Sequence, residues 1–445
     1  MASAVELKSN SPRPRSRGRK TPLPLLTRAK ARALAENLCL GVTGLELRSG
    51  NAARGPIDVV DLFCGCGGLS VGFEVVGRAR PSYRLAGAVD IDEHSCSTYE
   101  ANLGVRPLCA DIQVAARRTE GIRDLCSRFQ LRAGAPLVLL GGPPCQGFSA
   151  HQKKAGHPDD ERNDLVSAFA RFVQILQPDV VVFENVPELL AKKFWHHFVR
   201  VRGILERSGY TVRAQIRNLA EFGVPQERFR AVTVAMKGQL AMPAPFLDRS
   251  AYRTVRNAIG HLPPINPGER SAHDSMHFCT RHHPKTVETI RRVPLDGGKR
   301  PHGVGPRCLD RVDGFRDVYG RLYWDRPANT ITAYARNPAS GRYVHPAQHR
   351  GLTIREAALL QSFPSDYSFS GPFDDRFIQI GNAVPPAFST FLAAHLLGEI
   401  GATSELITRF DHVADIREPT SNSFSSGIAG RKRGGKSASS KVVSH

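Results

Sequence analysis

The feature that most constrains this chain is a repeated unit: a short apolar run, a glycine or an acid at its end, then an amphipathic stretch. Residues 57–63 close on Cys64-Gly65-Cys66-Gly67-Gly68 and lead into a helix-like stretch at 69–76. Residues 83–89 end at Asp90 before a helical pattern at 93–102, and a short run near Leu108 precedes Asp111. Two more apolar runs, 137–140 and 179–183, flank Leu165, Phe169, Phe172, Ile175 and Leu176 at helical spacing. Such alternation predicts an α/β fold, a parallel sheet with helices on both faces, with ligands at the carboxyl ends of the strands.

The glycine turn lacks the third glycine of the dinucleotide fingerprint and the Lys-Ser/Thr of a phosphate loop, which disfavours NAD and ATP. Asp61 inside one strand end and Asp90 at the tip of the next suit a nucleoside that carries ribose hydroxyls but no phosphate, because a carboxylate accepts two hydrogen bonds from a diol. At the end of the 137–140 run stands Gly142-Pro143-Pro144-Cys145-Gln146-Gly147-Phe148. Prolines before the cysteine and glycines on both sides present a thiol at a sharp turn, as a nucleophile requires. A lone cysteine more often packs as a small hydrophobe, so this reading rests on its neighbours.

Lys and Arg number 61 against 41 Asp and Glu, a formal net charge of +20. An excess of that size points to a polyanionic partner, with nucleic acid first. Part of it lies in Ser-, Gly- and Pro-rich ends: Arg13, Arg15, Arg17, Arg19 and Lys20 at the front, Arg431, Lys432, Arg433, Lys436 and Lys441 at the back. Disorder is expected in both. No apolar run reaches membrane-spanning length, no signal-peptide core opens the chain, and nine cysteines lack regular spacing. The expectation is a cytoplasmic protein with reduced thiols and no membrane contact. Neither Cys64 with Cys66 nor Cys279, His282, His283 and Cys308 has convincing ligand spacing, so no metal is expected.

Taken together, these segments resemble the cytosine-C5 DNA methyltransferase family over roughly 57–401. The resemblance rests on six segments in the family's order: the Asp61 to Gly68 loop, the Cys145 motif, Glu184-Asn185-Val186, Gln226-Glu227-Arg228-Phe229-Arg230, the 352–358 segment, and Gly381-Asn382-Ala383-Val384-Pro385-Pro386. It implies a Rossmann-like sheet that binds S-adenosyl-L-methionine, with a second, smaller target-recognition domain. It also implies methyl transfer to C5 of a flipped-out cytosine in a specific duplex DNA sequence. Cys145 would attack C6, Glu184 would offset charge at N3 with a raised pKa, Arg230 would bond O2, and Arg228 would brace the site or a phosphate.

For the cofactor, the resemblance implies Phe63, Gly65, Gly67, Gly68 and Leu69 in the loop. It adds Asp90 on the ribose, Ile91 where relatives stack an aromatic, Asp111 on the adenine amino group with Ile112 beside it, and Pro143, Asn382 and Ala383. DNA contacts are expected from Ser149, His151, Lys153 and Lys154 in a closing loop, from Gln226, and from Arg307, Arg311 and Arg316 in the recognition segment. The domain expectation is a basic arm at 1–55, a catalytic domain at 56–239 plus 336–401, a recognition domain at 240–335 and a basic tail at 402–445.

The partners implied are double-stranded DNA and a cognate restriction endonuclease, with the enzyme monomeric. A tRNA cytosine-C5 methyltransferase of the same fold is the alternative, but that branch has proline where this chain has Gly147. A catalytically silent DNA-binding regulator would not need Cys145, Glu184 and Arg230 intact.

Overall fold

The structure, a computed structural model, describes residues 56–79, 81–144, 164–311, 317–401 and 415–420. Cys145, Ser149, His151, Lys153, Lys154 and Arg316 lie outside the described residues, as do the arm at 1–55 and the basic residues beyond 420.

The chain opens with β1 (Ile57–Leu62), α1 (Gly68–Ala79), β2 (Tyr83–Asp90), α2 (Glu93–Leu103), β3 (Leu108–Cys109), α3 (Ile112–Ala115), α4 (Thr119–Cys126) and β4 (Leu137–Gly141). It continues through α5 (Asp164–Leu176), β5 (Val180–Asn185), α6 (Trp195–Arg207), β6 (Tyr210–Asn218), β7 (Gln226–Glu227) and β8 (Phe229–Lys237). After these come α7 (Val255–Ile259), α8 (Pro284–Arg291), β9 (Ala328–Asn329), α9 (Ile354–Leu360), α10 (Phe373–Asn382) and α11 (Pro386–Gly401).

Seven strands form one sheet in the order β3-β2-β1-β4-β5-β8-β6. The expected parallel pairing holds from β3 through β5, after which β8 and β6 join antiparallel. Its cause is the short connection from β6 to β8, a 3-10 turn at Leu219–Phe222 closed by left-handed Gly223 (φ +82°) and then the two-residue β7. That link is too short for a crossover helix.

Every residue of β1 and β4 is buried, as a strand covered on both faces must be. One core packs Val59, Leu69, Phe73, Val182 and Val232 against α9 to α11, and the other packs Leu62, Leu139, Phe169, Phe183 and Phe198 under α5 and α6. α1 and α11 touch at Gly72, where an added Cβ would come within 2.1 Å of the Ser389 backbone.

In the expected recognition segment the βα rhythm gives way to α7, α8 and β9, which pairs with β7 from the expected catalytic part. Val255, Ile259, Met276 and Leu322 join the large core, while Ile290, Val293, Val318, Tyr319 and Val344 form a small core of their own. The featureless tail expected from 402 is corrected at residues 415–420, which dock on β6 and on the turn after β5. Among the described residues no helix is long and apolar enough to cross a membrane.

Candidate active site

Where the parallel strands end, a cavity of about 350 Å³ opens. β1 delivers the turn that forms its floor. Phe63 takes a left-handed conformation (φ 60°), rare for a side chain of that size, and Gly65 (φ 52°) and Gly67 (φ 91°) follow it. The Gly65 amide donates to Oδ2 of Asp90 at 2.8 Å, tying the tips of β1 and β2 together. Gly68 permits a close approach: a Cβ there would lie 2.3 Å from the carbonyl oxygen of Val384, in the segment between α10 and α11.

Beneath the turn, Tyr99 donates to Ser70 Oγ at 2.8 Å and Ser70 donates to Asp61 Oδ2 at 2.6 Å. Burial pushes the Asp61 carboxyl up to about 7, with the Ser70 hydrogen bond opposing and the nearby Asp90 charge adding to the rise. Burial likewise raises Asp90, Cys64 and Cys66, so the two cysteines in the cavity wall are held as neutral thiols.

β5 contributes Glu184 and Asn185, both buried. Oε1 of Glu184 lies 2.9 Å from Nε of Arg230 on the adjacent β8, an ion pair whose N–H does not point squarely at the oxygen. Asn185 Nδ2 donates to the carbonyl of Pro143 at 3.2 Å, which fixes the segment leading to Cys145. Arg228 is buried and donates to the carbonyls of Ile331, Gly381 and Ala383 at 3.0, 3.1 and 3.0 Å. Of the two readings of Arg228, bracing is what these bonds provide.

The cavity brings together Phe63, Gly65, Gly68, Leu69, Asp90, Ile91, Pro143, Glu184, Arg228, Arg230, Asn382 and Ala383 from the expected set. It does not include Gly67, Asp111 or Ile112. Gly67 packs beside Tyr99, Leu103 and Tyr367, Asp111 caps α3 by accepting from the Gln113 amide at 2.8 Å, and Ile112 is buried in the second core.

Gln226 is corrected outright as a DNA contact. Fully buried, it donates to the Leu360 carbonyl at 2.8 Å and to Gln361, and accepts from the Ile331 amide at 2.9 Å. Arg307 and Arg311 are exposed on the recognition segment. Sequence reasoning missed Asp92, Ser95, Asp375, Ile378 and Gln379 in the wall; Asp92 and Ser95 stand just after Asp90, and the other three lie on α10 ahead of Asn382.

Among the described residues the wall holds four acids besides the burial-raised Asp61, namely Asp90, Asp92, Glu184 and Asp375, against two arginines, both already bonded within the protein. That balance repels a phosphate and suits a cation. Ile91 and Ile378, 68% and 43% exposed, leave apolar surface for a flat ring, and Gly65 faces open space where a Cβ would be. Such features fit a nucleoside bearing positive charge, as S-adenosylmethionine does.

Residues 57–398 match the family of C-5 cytosine-specific DNA methylases. The chain belongs to that family. This methylase is 35% identical over 344 residues to the type II methyltransferase M1.HphI of Haemophilus parahaemolyticus, covering 76% of this chain and 86% of the relative. It is 33% identical to the type II methylase M.HgiDII of Herpetosiphon aurantiacus, over 75% and 93% of the two chains. Its fold is shared with a DNA modification methyltransferase encoded within an Escherichia coli prophage, at a TM-score of 0.59 and 24% identity over 78% of this chain and all of the other. The methylase is thus a DNA (cytosine-5-)-methyltransferase, and S-adenosylmethionine is its methyl donor.

Proposed function

We propose that the methylase modifies a cytosine rotated out of duplex DNA, within a specific sequence, through a transient bond between Cys145 and C6 of the base. A ring stacked in a duplex is out of reach of any side chain at the floor of a cavity, and extrusion costs roughly a few kcal/mol. The extruded base sits with N3 and N4 at Glu184 and O2 at Arg230. Addition of the Cys145 thiolate to C6 sends the ring electron pair toward N3, where Glu184, which takes up a proton from water as the entering base draws Arg230 onto O2, passes that proton to N3 while the Arg230 cation offsets charge on O2. C5 thereby becomes nucleophilic.

When bound, S-adenosylmethionine supplies an electrophilic methyl group; Phe63, Gly65, Leu69, Asp90, Ile91, Asn382 and Ala383 would hold it. Asn185 ties Pro143 to the strand end that carries Glu184. Transfer of the C5 proton to water and expulsion of the thiolate, with N3 returning its proton to Glu184, restore an aromatic ring. The single observation carrying this reading is the Glu184–Arg230 pair, 2.9 Å apart in the cavity that also holds the glycine turn and Pro143–Pro144.

Residues 240–335 supply target recognition, and the two relatives' type II names favour a role beside a restriction endonuclease in the cytoplasm. Labelled S-adenosylmethionine with duplex DNA or tRNA tests the reading. Label in DNA cytosine supports it; label in tRNA alone, or in neither, overturns it.

A further inference from the structure

Two cysteines flank the backbone that carries Asp90 and Ile91. β3, the two-residue strand at one edge of the sheet, pairs Cys109 with Asp90 in parallel register. Cys96 stands one turn into α2, its amide donating to the Asp92 carbonyl at 2.9 Å. The thiols rest on consecutive carbonyls: Cys96 Sγ donates to Asp90 at 3.7 Å and Cys109 Sγ to Ile91 at 3.5 Å. They also hydrogen-bond each other.

The backbone between them is cavity wall. Asp90 accepts from the Gly65 amide at 2.8 Å and from the Asp92 amide at 3.0 Å, and Asp92 caps α2 by accepting from the Ser95 amide at 2.7 Å. Asp90, Ile91, Asp92 and Ser95 all line the cavity. A disulfide holds its sulfurs about 2 Å apart, well inside the contact distance of two thiols, and would strip both S–H donors from the Asp90 and Ile91 carbonyls. The residues that would hold ribose and adenine shift with it.

Access decides which sulfur reacts first. Cys109 is exposed, whereas Cys96 is buried and burial pushes its thiol up to about 12, so the attacking thiolate is that of Cys109. It cleaves a low-molecular-weight disulfide, forming a mixed disulfide and releasing one small thiol. The Cys96 sulfur then attacks the Cys109 sulfur and expels the second. Each cysteine proton ends on a departing small thiolate, so two protein thiols and one small disulfide become one protein disulfide and two small thiols.

We propose that Cys96 and Cys109 form an oxidisable dithiol site, closed by exchange with a low-molecular-weight disulfide, and that closure loosens the grip on S-adenosylmethionine. The second half rests on the proposed placement of the cofactor at Asp90 and Ile91; the first half does not.

The test treats the full chain with oxidised glutathione, maps disulfides by peptide mass spectrometry, and measures S-adenosylmethionine affinity by calorimetry before and after reduction. Affinity is read rather than turnover, because oxidation of Cys145 alone would stop turnover. A Cys96–Cys109 linkage should form, and affinity should fall about fivefold or more and recover on reduction. Cys109→Ser should bind the donor like the reduced parent, form no such linkage and keep its affinity under oxidant. Absence of the linkage overturns the proposal, as does an oxidised protein that binds like the reduced one or a loss of affinity that persists in Cys109→Ser. Undiminished binding by reduced Asp90→Ala would defeat the cofactor placement, and the second half of the proposal with it, while the mapped linkage still decides the first.

Discussion

Glu184 and Arg230 meet across two antiparallel strands, their charged atoms 2.9 Å apart and both side chains largely buried. The pair is preorganised: each charged group holds the other in place within the cavity wall. Arg230→Lys keeps the charge and loses the planar fork, so methyl transfer should fall about 10²-fold or more. Glu184→Gln should be more severe, because an amide cannot give a proton to N3. Single-turnover rates measure both, and a rate within threefold of the parent for either variant would remove that residue from the chemistry.

Arg228 belongs to architecture. Its guanidinium gathers carbonyls from β9's continuation and from the end of α10, which closes the chain back onto the cavity. Arg228→Met should cost about 3 kcal/mol or more in unfolding free energy, since buried carbonyls lose charged donors. Chemical denaturation checks this; a loss below 1 kcal/mol would contradict the bracing role.

The α1–α11 contact sets a steric limit away from the chemistry. Gly72→Ala places a methyl group 2.1 Å from the Ser389 backbone, and backbone cannot yield as a side chain end does. Overpacking of about 1–3 kcal/mol should outweigh the gain in helix propensity. Thermal melting reads the outcome, and an unchanged or raised melting temperature would show that the helices separate easily.

Asp61 makes stability depend on pH in an unusual direction. Its folded pKa, pushed up to about 7 by burial, exceeds the ordinary 3.8, so between these values the folded chain holds a proton that the unfolded chain has released. Stability contributed by this group therefore falls as pH rises through that window and levels off above it. Asp61→Asn should remove that decline. Denaturation of both proteins from pH 4 to 8 tests it; parallel curves would mean that Asp61 stays ionised.

Much of the parallel half was legible because β1, β2, β4 and β5 are apolar runs stopped by glycine or acid, and α5 shows a clear stripe. The antiparallel edge was not, because periodicity within β6 and β8 says nothing about which neighbour each strand will choose. Gln226 shows the same limit at one residue: a polar side chain in a functional segment reads as a DNA contact, yet its partners Leu360, Gln361 and Ile331 lie more than 100 positions away. Asp111 has a local use as well, capping the short helix that it precedes. Residues 415–420 escaped notice since six residues in a basic, Ser- and Gly-rich end carry no local pattern, and only the buried Arg202–Asp415 pair reveals them.

The central claim is a carbon–sulfur bond between Cys145 and C6 of the target cytosine. Duplex DNA carrying 5-fluorocytosine at the modified position, incubated with the methylase and S-adenosylmethionine, blocks the loss of the C5 substituent that would release the enzyme. The account expects a denaturation-resistant protein–DNA adduct whose peptide maps to Cys145 and which Cys145→Ala abolishes. Methylation of ordinary DNA without any such adduct, or an adduct at another residue, would contradict it.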